Sequence, residues 1–515
     1  MTKKFFCPVR IVSASLLFAL CLVAPKIADG LAAAPRTSAL RVLLVGGGPD
    51  PENNQAAIES NVRYVSRLVP DKSSCTTLFA DGDLRRPSVL FYASASSAPS
   101  GERILQLLLD EDEDSGGYRA PQLGTRLHGP SSKAAIQKAF ETLRQPRART
   151  PVLLYFTGHG GQNENDTANN YYCLWGSDNL SVRELSQQIA RLPADVPVTL
   201  VMVQCYSGAF GNVLFQDGNP KAALVARDIA GFFAATPERM AAGCTAEVNE
   251  AEYHDFTSYF FAALTGRDRV GRRVTGVDYN RDGRVGMDEA FYYTLANDRS
   301  IDVPVNTSDV FLRRFVTLPE EQLLSTRYAT LRSWATAAQR ATLDTLSQRA
   351  KLAGDDRVRE AHTRLGKQAA ARRGIEGLLG GDDSQSYDHL YERQYERYEE
   401  MRNAARSRLV QRWPALKNSR SNQYGAARNA AIAQLEREQK AGQFKDLWRI
   451  EQELHAAYNA AEARELQSVY TLRFLRLCRS VALAQQLREK GPQNVRTRFT
   501  RLLASEAKSP LPPQP

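Results

Sequence analysis

"PVLLYFTGHGG", Pro151–Gly161, is an unbroken apolar run that ends in a small polar residue, a histidine and glycines. The apolar residues do not alternate with polar ones, so both faces of such a strand are covered. That is the habit of a parallel sheet flanked by helices. Four further runs have the same character: "RVLLVGG" (Arg41–Gly47), "TTLFADG" (Thr76–Gly82), "PVTLVMVQC" (Pro197–Cys205) and "IAGFFAAT" (Ile229–Thr236).

Between them lie helical stretches. One runs from about Asn53 to Leu68. Another follows the caps Ser131 and Ser132, with Ile136, Ala139, Phe140 and Leu143 on one face. "SVRE", Ser181–Glu184, is a capping box that opens a helix carrying Leu185 and Ile189. "FTSYFFAALTG" follows the last strand. Strands alternating with helices predict an α/β class, a three-layer α/β/α sandwich with a mostly parallel sheet, over residues 41–318.

Past Pro319 glycine and strand-like runs become scarce. Leu324, Tyr328, Leu331, Ala335 and Ala338 keep helical spacing, and "YDHLYERQYERYEEMRNAARSRLVQRW" and the stretch from Phe444 to about Leu487 continue it. Residues 319–507 therefore read as an all-α, coiled-coil-like C-terminal region. "GLLGGDDSQS" interrupts it, and 508–515 form a proline-rich disordered tail. The stripes of leucine and aromatic residues suit a core, and they also leave room for self-association or an unknown docking partner.

The 515 residues exceed one ordinary core. A charged start, a short apolar middle and a small-residue exit give residues 1–30 the form of a secretory signal. The mature chain then starts between about Ala28 and Arg36, and the protein is exported, to a periplasm or the cell exterior. Leu20 ahead of Cys21 argues against a lipid anchor, and no later segment is long and apolar enough for a membrane span. The net charge of +10 is dispersed, which fits a solvated basic surface; no interleaving of aromatic and basic residues points to nucleic acid. Removing the signal leaves Cys75, Cys173, Cys205, Cys244 and Cys478, an odd number that leaves at least one thiol unpaired. "VGGGPDP" places Pro49 where a phosphate-cradling helix would begin, and no zinc-ligand spacing occurs, so no organic cofactor is implied.

Ligands of open parallel sheets sit beyond the carboxyl ends of the strands. Two runs deliver reactive side chains there: His159 between glycines, and Cys205 at the end of "VTLVMVQC". A thiol nucleophile needs a histidine to move protons and donors for the oxyanion. The N–H groups of Gly160 and Cys205 are candidates for that oxyanion hole. Each residue alone has a plainer reading, a packed cysteine and a turn histidine. Their joint placement favours catalysis. His128, in "RLHGPSS", also precedes a glycine but has no apolar strand before it.

"TGHGG" and "QCYSG", in this order and at these strand ends, resemble the His-Gly and Cys blocks of the caspase/legumain-like cysteine peptidases. The resemblance spans about Arg41 to Ala290, with "GGGPDPENN" after the first strand and "FFAATPERMAAGC" after the cysteine. It implies the caspase–hemoglobinase fold, Cys205 as nucleophile, His159 as acid/base partner, Gly160 as oxyanion glycine, and a protein or peptide substrate. One departure is Val203, two residues before the cysteine, where the family often has Gln, Glu or Asp; Gln204 is adjacent instead. Cleavage after Asp or Asn is therefore not implied. A non-catalytic scaffold with this fold, or an assembly protein working through its helices, are the other classes.

A second motif is "DYNRDGRVGMDE", Asp278–Glu289. It follows the calcium-loop pattern: Asp278, Asn280 and Asp282 at positions 1, 3 and 5, Gly283 at the sharp turn, the Arg284 carbonyl at 7 and Glu289 as the closing bidentate carboxylate. The plainer reading is an acidic turn ahead of a helix. As a calcium site it would brace or regulate the sheet domain.

Overall fold

A computed structural model describes residues 40–92, 100–109, 117–145, 150–379, 389–418 and 421–511. The stretch read as a secretory signal, the tip of the proline-rich tail and most of the "GLLGGDDSQS" break lie outside these residues.

The sheet has six strands: β1 (Arg41–Gly47), β2 (Cys75–Phe79), β3 (Val152–Gly158), β4 (Val198–Met202), β5 (Ile229–Phe233) and β6 (Val305–Asn306). Their order across the sheet is β6-β5-β4-β3-β1-β2, all parallel except β6, which is antiparallel to β5. The α/β class read from the sequence is what the chain adopts. The chain runs from β1 to β2 on one side and returns to β3 on the other. The direction of winding therefore reverses between β1 and β3, and in open parallel sheets ligands bind outside the carboxyl ends of the strands at such a reversal.

The uninterrupted apolar runs are explained by burial on both sides. Val42 and Leu44 of β1 and Leu153 and Tyr155 of β3 join one core; Leu43, Val45, Leu154 and Phe156 join the other. Helices α1 (Ala56–Leu68), α2 (Lys133–Leu143), α3 (Val182–Ala190), α4 (Phe256–Thr265), α5 (Met287–Asn297) and α6 (Thr307–Phe315) cover the faces. Ile58, Val62, Phe260 and Phe261 belong to the first core, and Ile136, Phe140, Leu185 and Ile189 to the second. Ser132 caps α2 by accepting from Ala135 N–H, and the Ser181/Glu184 capping box opens α3.

The first helix begins at Ala56, three residues later than its pattern suggests. Asn54 is the reason. Its side chain accepts from Gly48 N–H at 3.2 Å and donates to Ser88 C=O at 2.7 Å, which holds residues 48–54 as a loop.

The helical region packs directly on the sheet layers. Leu343 and Leu346 of α7 (Ala337–Arg349) and Phe474 and Leu477 of the 46-residue α8 (Lys445–Lys490) share the first core. Leu483 of α8 and Phe499 of α9 (Gln493–Glu506) share the second. Helices Ser100–Leu109, His389–Arg412 and Tyr424–Lys440 contribute to a third cluster that includes Ile104, Leu105, Leu409, Ala431 and Leu435. Among the described residues no helix is long and apolar enough to cross a membrane.

Candidate active site

Strands β3 and β4 are hydrogen-bonded neighbours in a register that pairs Phe156 with Met202. His159 and Cys205 each lie three residues further on, so they leave the sheet at the same level, beside the β1/β3 reversal. Parallel neighbours run about 4.8 Å apart. The two chain segments touch here. A Cβ added to Gly160 would stand 2.3 Å from the Cys205 carbonyl oxygen and 2.6 Å from Gln204 Cγ. Only glycine permits this approach.

His159 is held by the loop after β1. Its Nε2 lies 2.9 Å from Asn53 C=O and 3.0 Å from Gln55 Oε1. A carbonyl only accepts, so Nε2 carries the proton and Nδ1 keeps its lone pair. Burial, the largest cause, pushes the imidazole pKa down from 6.5, against the opposing pull of Asn53 C=O and Asp50. The ring is therefore a neutral base of defined tautomer. Gln55 sits at the N-cap of α1 without bonding the helix. Its side chain goes to His159 instead. Gly48 is also needed here, because Asn53 C=O passes 1.8 Å from where its Cβ would be.

The stretch after His159 forms a small antiparallel hairpin. Gly160 and Gly161 pair with Tyr172 and Tyr171. Cys173 N–H donates to His159 C=O at 2.9 Å. Hydrogen-bonded and non-bonded pairs alternate along such a ladder. The Gly160/Tyr172 pair is then the non-bonded kind, and the Gly160 N–H points away from its strand partner.

Cys205 is half-buried. Its Sγ accepts from Ala241 N–H at 3.3 Å and donates weakly to Ala241 C=O at 3.8 Å. Its hydrogen-bond partner is thus the segment after β5, not the His159 ring. Such contacts often form only when substrate arrives. Burial raises the thiol pKa above 9.0; the Ala241 N–H opposes this and Asp302 adds to it. The thiol and imidazole both rest uncharged. The next residue, Tyr206, takes a left-handed conformation (φ 59°) and donates its N–H to Arg239 C=O at 2.8 Å. A bulky residue in that region stores strain of the kind found at functional turns.

All five cysteines among the described residues are free thiols. Two of them border the dyad. Cys173 follows the hairpin pair just described, and Cys244 Sγ donates to Gly158 C=O at 3.6 Å. Burial lifts the Cys173 thiol to about 11 and raises Cys244 further. His128 lies on the far edge of the sheet. Its Nδ1 accepts from Thr77 N–H at 3.1 Å.

The acidic loop turns about Gly283 (φ 82°) as its pattern requires. Asp278 accepts from Asp282 N–H at 3.1 Å and Gly283 N–H at 3.0 Å. Asn280 accepts from Asp282 N–H, and Asp282 accepts from Arg284 N–H. Glu289, buried at the start of α5, accepts from Tyr279, Asn280 and Gly286 N–H at 2.7, 3.0 and 3.1 Å. The donor set is oxygen-rich and chemically suited to calcium. In this geometry its carboxylates are aimed at backbone N–H groups. Among the described residues no three His, Cys, Asp or Glu side chains converge on a point that could hold a metal.

Sequence reasoning missed Asn53 and Gln55 as partners of His159, because a backbone carbonyl and a neutral amide carry no motif. It also missed Ala241, which meets the thiol through its backbone N–H and C=O alone.

No protein family and no curated protein matches the chain. Among solved structures it is similar to the crystal structure of a structural-genomics target from Geobacter sulfurreducens, at 14% identity and a TM-score of 0.30. That match covers 52% of this chain and 92% of the other.

Proposed function

We propose that the protein is an exported cysteine endopeptidase of the caspase/legumain-like kind, acting in a periplasm or outside the cell on protein or peptide substrates. One observation carries the reading: His159 is fixed by Asn53 C=O and Gln55 in the tautomer that leaves Nδ1 basic, at the strand end beside Cys205. The carbonyl does for this histidine what a carboxylate does in a Ser-His-Asp triad.

In the reaction, the Cys205 thiol gives its proton to His159 Nδ1 as Sγ attacks the scissile carbonyl carbon. The Gly160 and Cys205 N–H groups receive the oxyanion. His159 then hands the proton to the leaving amine as the C–N bond breaks, and a thioester remains. Water, deprotonated by His159, attacks the thioester; the acid departs and the proton returns to the thiolate. The loop from Asp278 to Glu289 would hold calcium through Asp278, Asn280, Asp282, Glu289 and the Arg284 carbonyl, and so brace the start of α5.

A catalytically silent scaffold is the second reading, favoured by the Cys205–Ala241 hydrogen bonds. Profiling the mature protein on a peptide library, with and without calcium, separates the two. Cleavage that is lost in Cys205→Ala supports the peptidase. Cys205 alkylation without any cleavage supports the scaffold.

A further inference from the structure

The helical region reaches the candidate nucleophile through one side chain. Arg473 of α8 is fully buried, and its guanidinium is enclosed by backbone. Nε donates to Asp302 C=O at 2.7 Å, one terminal nitrogen to Asp298 C=O at 2.7 Å and Leu295 C=O at 3.4 Å, and the other to Ser300 C=O at 3.0 Å. The Asp298 carboxylate lies 3.5 Å from it. This set of carbonyls fixes the turn between α5 and β6. A planar donor fork suits the task, and a lysine would not satisfy the same acceptors.

The turn presents Asp302, itself fully buried, to the segment that carries Ala241. Asp302 Oδ1 accepts from Ala242 N–H at 2.7 Å, and Oδ2 from Phe256 N–H at 3.1 Å. The Ala241 C=O and the Ala242 N–H belong to one peptide plane, and in a trans peptide they point opposite ways. One side of this plane therefore faces the Cys205 thiol and the other is gripped by Asp302. The Ala241 N–H, on the preceding peptide, donates to the same sulfur.

We propose that the C-terminal helical region is part of the active site: Arg473 fixes Asp302, and Asp302 holds the Ala241–Ala242 peptide that cradles the Cys205 thiol. Arg473 and Asp302 are positioning residues, since neither touches the reacting atoms. The proposal rests on Cys205 being the nucleophile, and it gives the helices a task within the same chain. The charged groups around Asp302 are Asp298, Asp255 and Arg473, and Asp255 is in turn faced by Arg269 at 3.7 Å.

The test compares full-length wild type with Arg473→Lys and Asp302→Asn. Iodoacetamide alkylation of Cys205, followed across pH by mass spectrometry of its peptide, reports the thiol whether or not the protein cleaves anything. Peptide hydrolysis is measured beside it. Both variants should shift the alkylation midpoint by more than about half a pH unit and lower kcat about tenfold with KM nearly unchanged. The control is Arg476→Lys, one turn along α8, whose guanidinium pairs with Asp309 at 3.0 Å. It should lower the melting temperature and leave the midpoint alone. A midpoint unchanged in folded Arg473→Lys, or in Asp302→Asn should the former not fold, overturns the proposal. Midpoints that shift in the variants while the wild type hydrolyses nothing would sink the peptidase reading and keep the cradle. Hydrolysis with no shift does the reverse.

Discussion

The two motif-bearing regions use their polar groups in opposite ways. At the ends of β3 and β4, the His159 Nδ1 and the Gly160 N–H are directed away from their immediate partners, and the thiol is held by the Ala241 N–H and C=O. In the acidic loop, Asp278, Asn280, Asp282 and Glu289 all accept from the loop's own N–H groups. Both regions match a functional pattern on paper. The strand ends leave the His159 Nδ1 and the Gly160 N–H outside these bonds, whereas the loop uses its capacity to hold its own shape. Matching residue types are therefore a weaker sign of function than polar groups held in place and left available.

The sharpest break of that comparison is removal of the dyad. Cys205→Ala or His159→Ala should cut peptide hydrolysis by about a thousandfold or more with little change in melting temperature. Ordinary turnover in either would end the assignment. Gly160→Ala comes next. The new methyl group must displace Cys205 C=O or Gln204, and with it the Gly160 N–H, so kcat should fall by about a hundredfold. A steady-state assay with KM resolved from kcat checks this.

The loop gives the stability counterpart. Glu289→Ala strips the acceptor from three backbone N–H groups and should cost about 1–3 kcal/mol even in a chelator. Calcium should raise the melting temperature of wild type and not of the variant. Calorimetry showing no binding at millimolar calcium would leave the loop a self-bonded turn.

The pH dependence is milder. Burial depresses the His159 pKa below 6.5 and raises that of Cys205 above 9.0, so kcat/KM should be flat between these values. The acid limb should fall below pH 6.5. Between 6.5 and the lower folded value the unfolded chain binds more protons at His159, so the same group should make stability decline as pH drops through that window. The smallest effect concerns Gln204, whose buried amide has no hydrogen-bond partner on either atom among the described residues. Gln204→Met should raise stability by about 1 kcal/mol and leave turnover within about twofold. A large loss of turnover would instead show that the amide finds its partner in the substrate.

Much of the architecture was legible from the apolar runs, because burial on both faces writes an unbroken pattern that has few other readings. Val42 to Val45 and Val152 to Phe156 alternate between two cores, yet every one of them is apolar. His159 and Cys205 could be read for the same reason: they follow such runs, and a strand end is a position that sequence reveals. The supporting shell could not. Asn53 acts through its carbonyl and Ala241 and Ala242 through their N–H groups, which every residue of their type possesses. Arg473 comes from a helix read by its leucine and aromatic stripes, a pattern in which a buried arginine carries no signal, and its burial depends on a turn 171 residues away. The helix start at Ala56 was misplaced because Asn54, a good cap by type, is bonded to Ser88 and Gly48.

The rival histidine has a consequence of its own. His128 Nδ1 takes the Thr77 N–H, His128 N–H reaches Thr77 C=O at 2.8 Å, and Gly129 C=O takes the Phe79 N–H at 3.0 Å. The outer margin of β2 is thereby occupied by the chain itself. At the opposite margin, β6 is two residues long and runs against the sheet, and Glu506 of α9 binds Asn306, Thr307 and Ser308. Open margins of hydrogen-bonding groups are what allow one molecule's sheet to continue into the next. At β2 the margin is closed in this way by the chain's own segment, which withholds that template there. His128→Ala would reopen part of one margin, and its cost would appear as self-association at high concentration.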